Sequence, residues 1–259
     1  MLLVSNKLDT IKRISRIFSG GEKTPTCAAV VLAAGSSVRM GNDKILAKLG
    51  EIPVLARTLR PFQESDAVSE IVVVTSLEKL SEVTELCREY NIGKVSKVIT
   101  GGKTRAESAL AGVSEVSSGA SLIAIHDGAR PLVTGDLIRR TVEMAAKRNA
   151  AVPAIRSTDT LKTAGDDGAI IGTVDRETTW RIQTPQVFKA ELIKGALTKA
   201  MKQGLALTDD SSAMEILGVT TYLVEGDEEN IKLTKPLDML LAAAILRDRR
   251  ERNENRAGL

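Results

Sequence analysis

Three short stretches of this chain set glycine beside a cation. They are Leu32-Ala33-Ala34-Gly35-Ser36-Ser37-Val38-Arg39-Met40-Gly41-Asn42-Asp43-Lys44, Gly101-Gly102-Lys103-Thr104-Arg105-Ala106-Glu107-Ser108 and His126-Asp127-Gly128-Ala129-Arg130-Pro131. Small residues let backbone N–H groups approach a ligand closely, and an Arg or Lys in the same loop can neutralise phosphate oxygens. That is the chemistry of a triphosphate cradle; the blander reading of each stretch is a tight turn. Neither standard phosphate loop is present. The dinucleotide pattern G-x-G-x-x-G fails at Ser37, and the P-loop pattern fails because Met40 stands where its second glycine belongs and Lys97 where Gly102-Lys103-Thr104 would need its first.

Elements that could position these loops alternate along the chain. Apolar runs at 27–33, 71–75, 95–100, 122–126 and 150–155 read as buried strands, and helical patterns fall at 54–63, 77–90, 105–116 and 135–148. This βαβα order predicts an α/β fold, a doubly wound, mostly parallel Rossmann-like sheet with its ligand crevice at the strand carboxyl ends. Each glycine-and-cation stretch follows one of those strands. The rhythm breaks at 158–179, where 160–163 and 169–174 flank a Gly-rich turn and read as an inserted β-hairpin. A two-stranded ribbon is marginal alone, so it is expected to pack on a second subunit. Helices at 189–203 and 210–217, a strand at 220–224 and a last helix at 236–250 complete the pattern. The mixed-charge run 247–256 reads as a solvated tail.

Composition narrows the chemistry. The 259 residues are 43% hydrophobic but only 2% aromatic, which makes the core aliphatic and argues against base-stacking RNA or single-strand modules. The net charge of +3 sits within residues 1–20, so the remaining body is neutral and offers no footprint for duplex nucleic acid. With two cysteines, Cys27 and Cys87, and a single histidine, His126, a metal site built on His and Cys is not expected. His126 reads as a structural residue positioning the Asp127 loop, Cys27 as a core residue, and Asp209-Asp210 as a helix cap. No apolar run approaches the roughly 18 residues of a membrane span, and the expected location is cytoplasmic. Residues 1–20 space apolar side chains at helical intervals among basic ones, so residues 1–25 read as an amphipathic extension and linker.

The order A-A-G-x-x-x-R-M then Lys, G-G-x-x-R-x-x-S and H-D-G-A-R-P resembles the 2-C-methyl-D-erythritol 4-phosphate cytidylyltransferases of the non-mevalonate isoprenoid pathway. Thr173-Val174-Asp175-Arg176, Thr184-Pro185-Gln186, Leu207-Thr208-Asp209-Asp210, Val224-Glu225-Gly226 and Asn230-Ile231-Lys232 extend the resemblance over residues 27 to about 245. One departure is Asp43-Lys44-Ile45-Leu46, where the common family form has Pro-Lys-Gln and an aromatic residue. The resemblance implies transfer of CMP from CTP to a sugar-alcohol phosphate with release of pyrophosphate, Mg²⁺ bridging the CTP phosphates, and a homodimer that exchanges its hairpin arms. It implies a cytidylyltransferase domain at 26–250, with the arm at about 157–179, and a charged tail at 251–259.

Residue by residue, it implies that Arg39 and Lys44 grip the triphosphate and Lys232 the α-phosphate. Ala33, Ala34, Gly35, Gly102, Ser108, Asp127, Gly128 and Ala129 would bind the nucleotide. Asp127, Arg130, Thr184, Thr208 and Lys232 would hold the acceptor, with Thr160 and Arg176 reaching into the partner's site. No protein ligand for a metal is implied. Two rival readings are a ribitol-5-phosphate cytidylyltransferase and, more distantly, a non-catalytic nucleotide-binding regulator; three separate cations in one crevice exceed what base and ribose binding requires.

Overall fold

The computed structural model describes residues 26–35 and 44–257. The expected amphipathic extension at 1–25 and the site residue Arg39 lie outside the described residues. The strands are β1 (Cys27–Leu32), β2 (Lys48–Leu49), β3 (Ile52–Pro53), β4 (Val68–Thr75), β5 (Val95–Thr100), β6 (Leu122–Asp127), β7 (Ala150–Arg156), β8 (Lys162–Ala164), β9 (Ile170–Thr173), β10 (Trp180–Ile182), β11 (Gln186–Lys189) and β12 (Tyr222–Glu225). The helices are α1 (Val54–Glu64), α2 (Leu80–Glu89, after a 3-10 turn at Leu77–Lys79), α3 (Arg105–Glu115), α4 (Gly135–Arg148), α5 (Ala190–Lys202), α6 (Asp210–Ile216) and α7 (Pro236–Ala257).

The central sheet is mostly parallel, as the βαβα order predicted. β1 pairs in parallel with β4 and β6, β4 with β5, and β7 with β12. The antiparallel strands β10 and β11 are not among the elements the sequence pattern predicts. β10 and β11 both run against β7, with Gln183–Pro185 bulging between them, and β11 also runs against β6. This interrupted strand joins the two parallel halves of the sheet.

Both faces of the sheet are covered, so its strands alternate between two cores rather than between core and solvent. Ala29, Val31, Val73 and Ala124 face α1, α2, α4 and α7 through residues such as Leu55, Leu59, Val83, Leu137 and Ala242. Ala28, Val30, Val74, Ile123 and Ile125 face α3, α5 and α6 through Ala109, Val113, Ile193, Leu197 and Met214. Each fully buried Val, Leu, Ile or Met side chain among them contributes about 1.5–3 kcal/mol of transfer free energy, and each Ala less. Phe62 and Phe188 are the aromatic residues among the largest fully buried side chains, so the core is aliphatic as composition required.

The expected hairpin forms a separate two-stranded sheet, β8 against β9, outside the central one. It exposes Leu161, Ile170 and Ile171, the last two about 70% accessible at 68% and 73%. At the other end of the chain α7 runs through the mixed-charge segment to Ala257, past the expected boundary at 250.

α3 lies so close to the sheet that a Cβ on Gly112 would fall 2.4 Å from Val30 Cγ1 and 2.7 Å from Val74 Cγ2. Gly112→Ala is therefore expected to cost about 1–3 kcal/mol through overpacking. Gly195, in α5, has open space at the same position, and Gly195→Ala is expected to stabilise by about 0.5–1 kcal/mol. Urea unfolding of the two variants checks the opposite signs.

Candidate active site

The described parts of the three glycine-and-cation stretches, residues 33–35 with Lys44, 101–108 and 127–130, meet at one end of the sheet because they leave the carboxyl ends of β1, β5 and β6. They line a cleft of about 410 Å³ together with Lys44, Lys103, Arg105, Lys232 and Thr234. Glycine is required by close approach. A Cβ on Gly128 would lie 2.9 Å from the Leu32 carbonyl, which accepts the Gly128 N–H at 2.8 Å. A Cβ on Gly101 would strike Ser108 Oγ and Ala34 Cβ. Thr104 caps α3 by accepting the Glu107 N–H, and Glu107 accepts the Lys103 N–H at 2.6 Å, so the loop entering the helix is fixed from both directions. A larger hollow of about 570 Å³ beside α2 and β5 lies at the sheet's outer edge and includes none of these loops.

Asp127 is the electrostatic centre of the cleft, and it is only 7% exposed. Lys232 Nζ stands 2.9 Å from its Oδ2, Arg105 Nε 3.4 Å from Oδ1 and Arg130 Nε 3.6 Å from Oδ2. Burial opposes the anion, but Arg105, Lys232 and Arg130 together hold the carboxyl well below the usual carboxylate range. Arg105 is itself clamped. Its Nη1 and Nη2 donate to Asp210 Oδ1 and Oδ2 at 2.9 and 2.7 Å, a bidentate fork to a carboxylate that is 1% exposed. Burial works against the charge on Arg105, yet Asp210 and Asp127 outweigh it and raise its pKa. Burial also pulls the Asp210 carboxyl upward against the pull of Arg105; the fork geometry keeps both partners charged.

Behind the cleft a neutral relay fixes the Asp127 loop. The Arg130 carbonyl can only accept, so His126 Nε2, 3.3 Å away, carries the proton. His126 Nδ1 then accepts from Thr184 Oγ1 at 3.0 Å, and Thr184 Oγ1 accepts the Asp127 N–H at 3.1 Å. Asn230 adds a bond from Nδ2 to the Thr184 carbonyl at 2.9 Å, while its own carbonyl accepts Arg130 Nη1 at 2.6 Å. His126 is fully buried against Phe62, and burial drives its pKa down to about 3. The imidazole is neutral at pH 7 and both of its nitrogens are occupied.

The structure brings Ala33, Ala34, Gly35, Lys44, Gly102, Ser108, Asp127, Ala129 and Lys232 to the cleft wall. Gly128 turns beneath it, and Arg130 stands behind Asp127. Ser108 Oγ is engaged within its own loop, accepting the Gly102 N–H at 3.2 Å and donating to the Thr104 carbonyl at 3.0 Å. Thr184, expected to hold the acceptor, is instead 3% exposed with its hydroxyl engaged on both sides. Thr208 is exposed outside the cleft lining, its hydroxyl 2.9 Å from Ser212 Oγ. Thr160 and Arg176 lie exposed on the arm. Asp209 caps α6 through the Ser212 N–H at 3.0 Å, as its position predicted. Sequence reasoning passed over Arg105 and Asp210 as a pair, although Arg105 is the R of G-G-x-x-R-x-x-S.

Among the described residues no group of three or more His, Cys, Asp or Glu side chains could hold a metal ion. Asp127 in the cleft wall and Asp210, the buried partner of Arg105, already neutralise cations.

The sequence model of a family described as 2-C-methyl-D-erythritol 4-phosphate cytidylyltransferase matches residues 27–248. The chain is 42% identical over 227 residues to the protein of that name from Halalkalibacterium halodurans, covering 87% of this chain and 99% of the relative. It is 41% identical over 227 residues to the one from Caldanaerobacter subterraneus, covering 85% and 98%. In structure it resembles a 4-diphosphocytidyl-2C-methyl-D-erythritol synthase from Anaerococcus prevotii, with a TM-score of 0.77 at 28% identity over 87% of this chain and 100% of that one. The Thermus thermophilus cytidylyltransferase superposes with a TM-score of 0.69 at 30% identity, over 84% and 98%.

The relay has a measurable consequence. The unfolded histidine titrates near 6.5 and the folded one near 3, so between these values the unfolded chain binds one more proton. Stability is therefore full above about pH 6.5 and falls as pH drops toward 3, by up to about 1.4 kcal/mol per pH unit. Urea unfolding of the unaltered protein and of His126→Asn between pH 7 and 5 measures this contribution, and the variant is expected to lose less stability over that window.

Proposed function

The chain belongs to the 2-C-methyl-D-erythritol 4-phosphate cytidylyltransferase family, and from that premise we propose how its own residues divide the reaction. It is a CTP-dependent nucleotidyltransferase of isoprenoid precursor synthesis. A phosphate oxygen of methylerythritol phosphate forms the bond to the α-phosphorus of CTP, and the bond to the β-phosphate oxygen breaks, releasing pyrophosphate. The nucleophile is already anionic, so the site supplies position and positive charge rather than a base. The observation that carries this reading is the cleft itself, where glycine-bearing segments from three strand ends stand beside Lys44, Arg105 and Lys232.

In this proposal Lys44 and Arg39 hold the triphosphate, and Lys232 meets the α-phosphate and acceptor. Backbone groups of Ala33, Ala34, Gly35, Gly102 and the Asp127-Gly128-Ala129 turn read the nucleotide, with Ser108 shaping the Gly102 loop. Asp127 and Thr208 hold the acceptor, Arg130 sets the Asp127 carboxylate from behind, and Thr184 acts through the backbone of Asp127 and the ring of His126. Because Asp127, the carboxylate in the described cleft lining, is already paired, bound Mg²⁺ would be held chiefly by the substrate rather than by a cage of protein carboxylates. It would supply charge neutralisation of the triphosphate.

The arm serves a homodimer. Its exposed Ile170 and Ile171 support burial against a partner subunit, where Thr160 and Arg176 would reach the second cleft. No helix among the described residues is long and apolar enough to cross a membrane. A cytoplasmic site of action accords with two free, buried cysteines.

Two measurements test the proposal. Pyrophosphate release should be rapid with methylerythritol phosphate and slow with ribitol phosphate; Lys44→Ala should lose about 2–4 kcal/mol of transition-state stabilisation. An unchanged Lys44→Ala rate removes that lysine from the reaction. In mixed dimers, inactive Lys44→Ala and Arg176→Ala subunits should recover part of the activity, and verified heterodimers without recovery rule out a shared site.

A further inference from the structure

The charged end of the chain touches the two loops that carry Arg130 and Lys232. α7 continues through residues 247–256, and Arg249 turns back from it with a side chain 23% exposed. Its Nε donates to Glu229 Oε2 at 2.5 Å and its Nη1 to the Leu132 carbonyl at 3.0 Å, while Nη2 lies 3.6 Å from Asp227 Oδ2. Arg252 takes the other oxygen of Glu229 at 2.6 Å. Leu132 closes the segment that begins at His126 and presents Asp127 and Arg130. Asp227 and Glu229 open the segment that presents Asn230 and Lys232.

Those two segments meet again nearer the cleft. Arg130 Nη1 donates to the Asn230 carbonyl, and the Leu233 N–H donates to the Ala129 carbonyl at 2.8 Å. Glu229 N–H and Asn230 N–H both bond Asp227, at 2.8 and 2.9 Å, so the 227–230 turn moves as a unit. A guanidinium that bridges one loop's carboxylate to the other loop's carbonyl fixes the spacing between them. We infer that Arg249 is a positioning residue for the transfer reaction: it clamps the Leu132 and Glu229 loops together and so sets Lys232 and Arg130 about Asp127.

The fork matters as well as the charge. Arg249 satisfies two acceptors on different loops through separate N–H groups at fixed angles, which a lysine ammonium on a flexible stem does less well. The nucleotide segment at 33–35 makes no bond to Arg249, and the 101–108 loop meets the clamped segments through the Arg105–Asp127 pair. Displacement of a positioned group by about 1 Å can cost up to about a hundredfold in rate. The effect should therefore fall on turnover and the acceptor more than on CTP, which keeps its contacts with the 33–35 segment. The inference rests on the proposed role of Lys232, so Lys232→Ala belongs in the same experiment.

The experiment is steady-state kinetics on the full chain with CTP and methylerythritol phosphate, alongside thermal melting. Arg249→Gln is expected to lower kcat about tenfold or more and raise the acceptor KM severalfold, with the CTP KM within about twofold. Arg249→Lys should lie between it and the unaltered protein. The double variant Arg249→Gln/Glu229→Gln should be no worse than Arg249→Gln alone, because both remove one bridge. If Arg249→Gln keeps kcat and acceptor KM within twofold while Lys232→Ala is inactive, the clamp is overturned. Full activity of Lys232→Ala would instead sink the underlying site reading. Should Arg249→Gln fail to fold, Glu229→Gln decides: a shift in the same direction supports the clamp, and unchanged kinetics overturn it.

Discussion

The site depends on one buried carboxylate. Asp127 can stay ionised at 7% exposure only because Arg105, Arg130 and Lys232 converge on it. These cations come from three parts of the chain: the first turn of α3, the loop after β6, and the segment entering α7. Leaving a buried charge with no partner costs about 3–5 kcal/mol, and here the compensation is shared among three cations. The same carboxylate therefore ties the walls of the cleft together and fixes where their positive charges stand. Asp127 and Asp210 against Arg105, Arg130 and Lys232 leave an excess cation before Lys44 is counted. That local surplus is what a triphosphate needs, and it is invisible in a body whose overall charge is neutral.

Specificity and catalysis draw on different chemistry in this arrangement. The nucleotide side is built from backbone, since Gly101, Gly102 and Gly128 stand where a Cβ would collide with Ser108, Glu107 or the Leu32 carbonyl. Fixed backbone donors cost little reorganisation when the ligand binds. The positive charge is supplied by long cationic side chains whose bases must be held by their surroundings. Arg105 has its fork on Asp210, and Lys232 has its backbone pinned through Leu233 to Ala129. A mostly parallel sheet makes this division possible by delivering both kinds of loop to the same edge.

The parallel strands were legible as runs rich in β-branched or small apolar residues, and β1, β5 and β6 were marked further by the glycines that follow them. β10 and β11 were not: Arg181, Gln183 and Pro185 interrupt the run, and its pairing with β7 depends on residues about thirty positions away. The cleft residues were legible by motif, but a motif does not say which side of a loop a side chain takes. Thr184 looked like a hydroxyl for the acceptor and is the donor to His126 Nδ1. Arg105 looked like a helix-start residue and holds Asp210, 105 positions later. The run 247–256 suggested solvation because its charges alternate, and Arg252 with Asp248 does form a pair at the helical spacing of four. What escaped the pattern is Arg249, whose acceptors sit 20 and 117 residues earlier.

His126 shows how the reaction shaped the scaffold. Transfer to a phosphate that is already an anion leaves the site with no proton to remove, so an imidazole is free to serve the structure. Its two nitrogens lie on opposite edges of a rigid ring, one a donor and one an acceptor. That lets it span from the Arg130 carbonyl to the Thr184 hydroxyl while its carbon face packs on Phe62 at 4.9 Å. A shorter amide would have to reach both partners from one planar end. The low pKa near 3 follows from that placement, and it keeps an additional charge away from a cluster whose balance decides where phosphate binds.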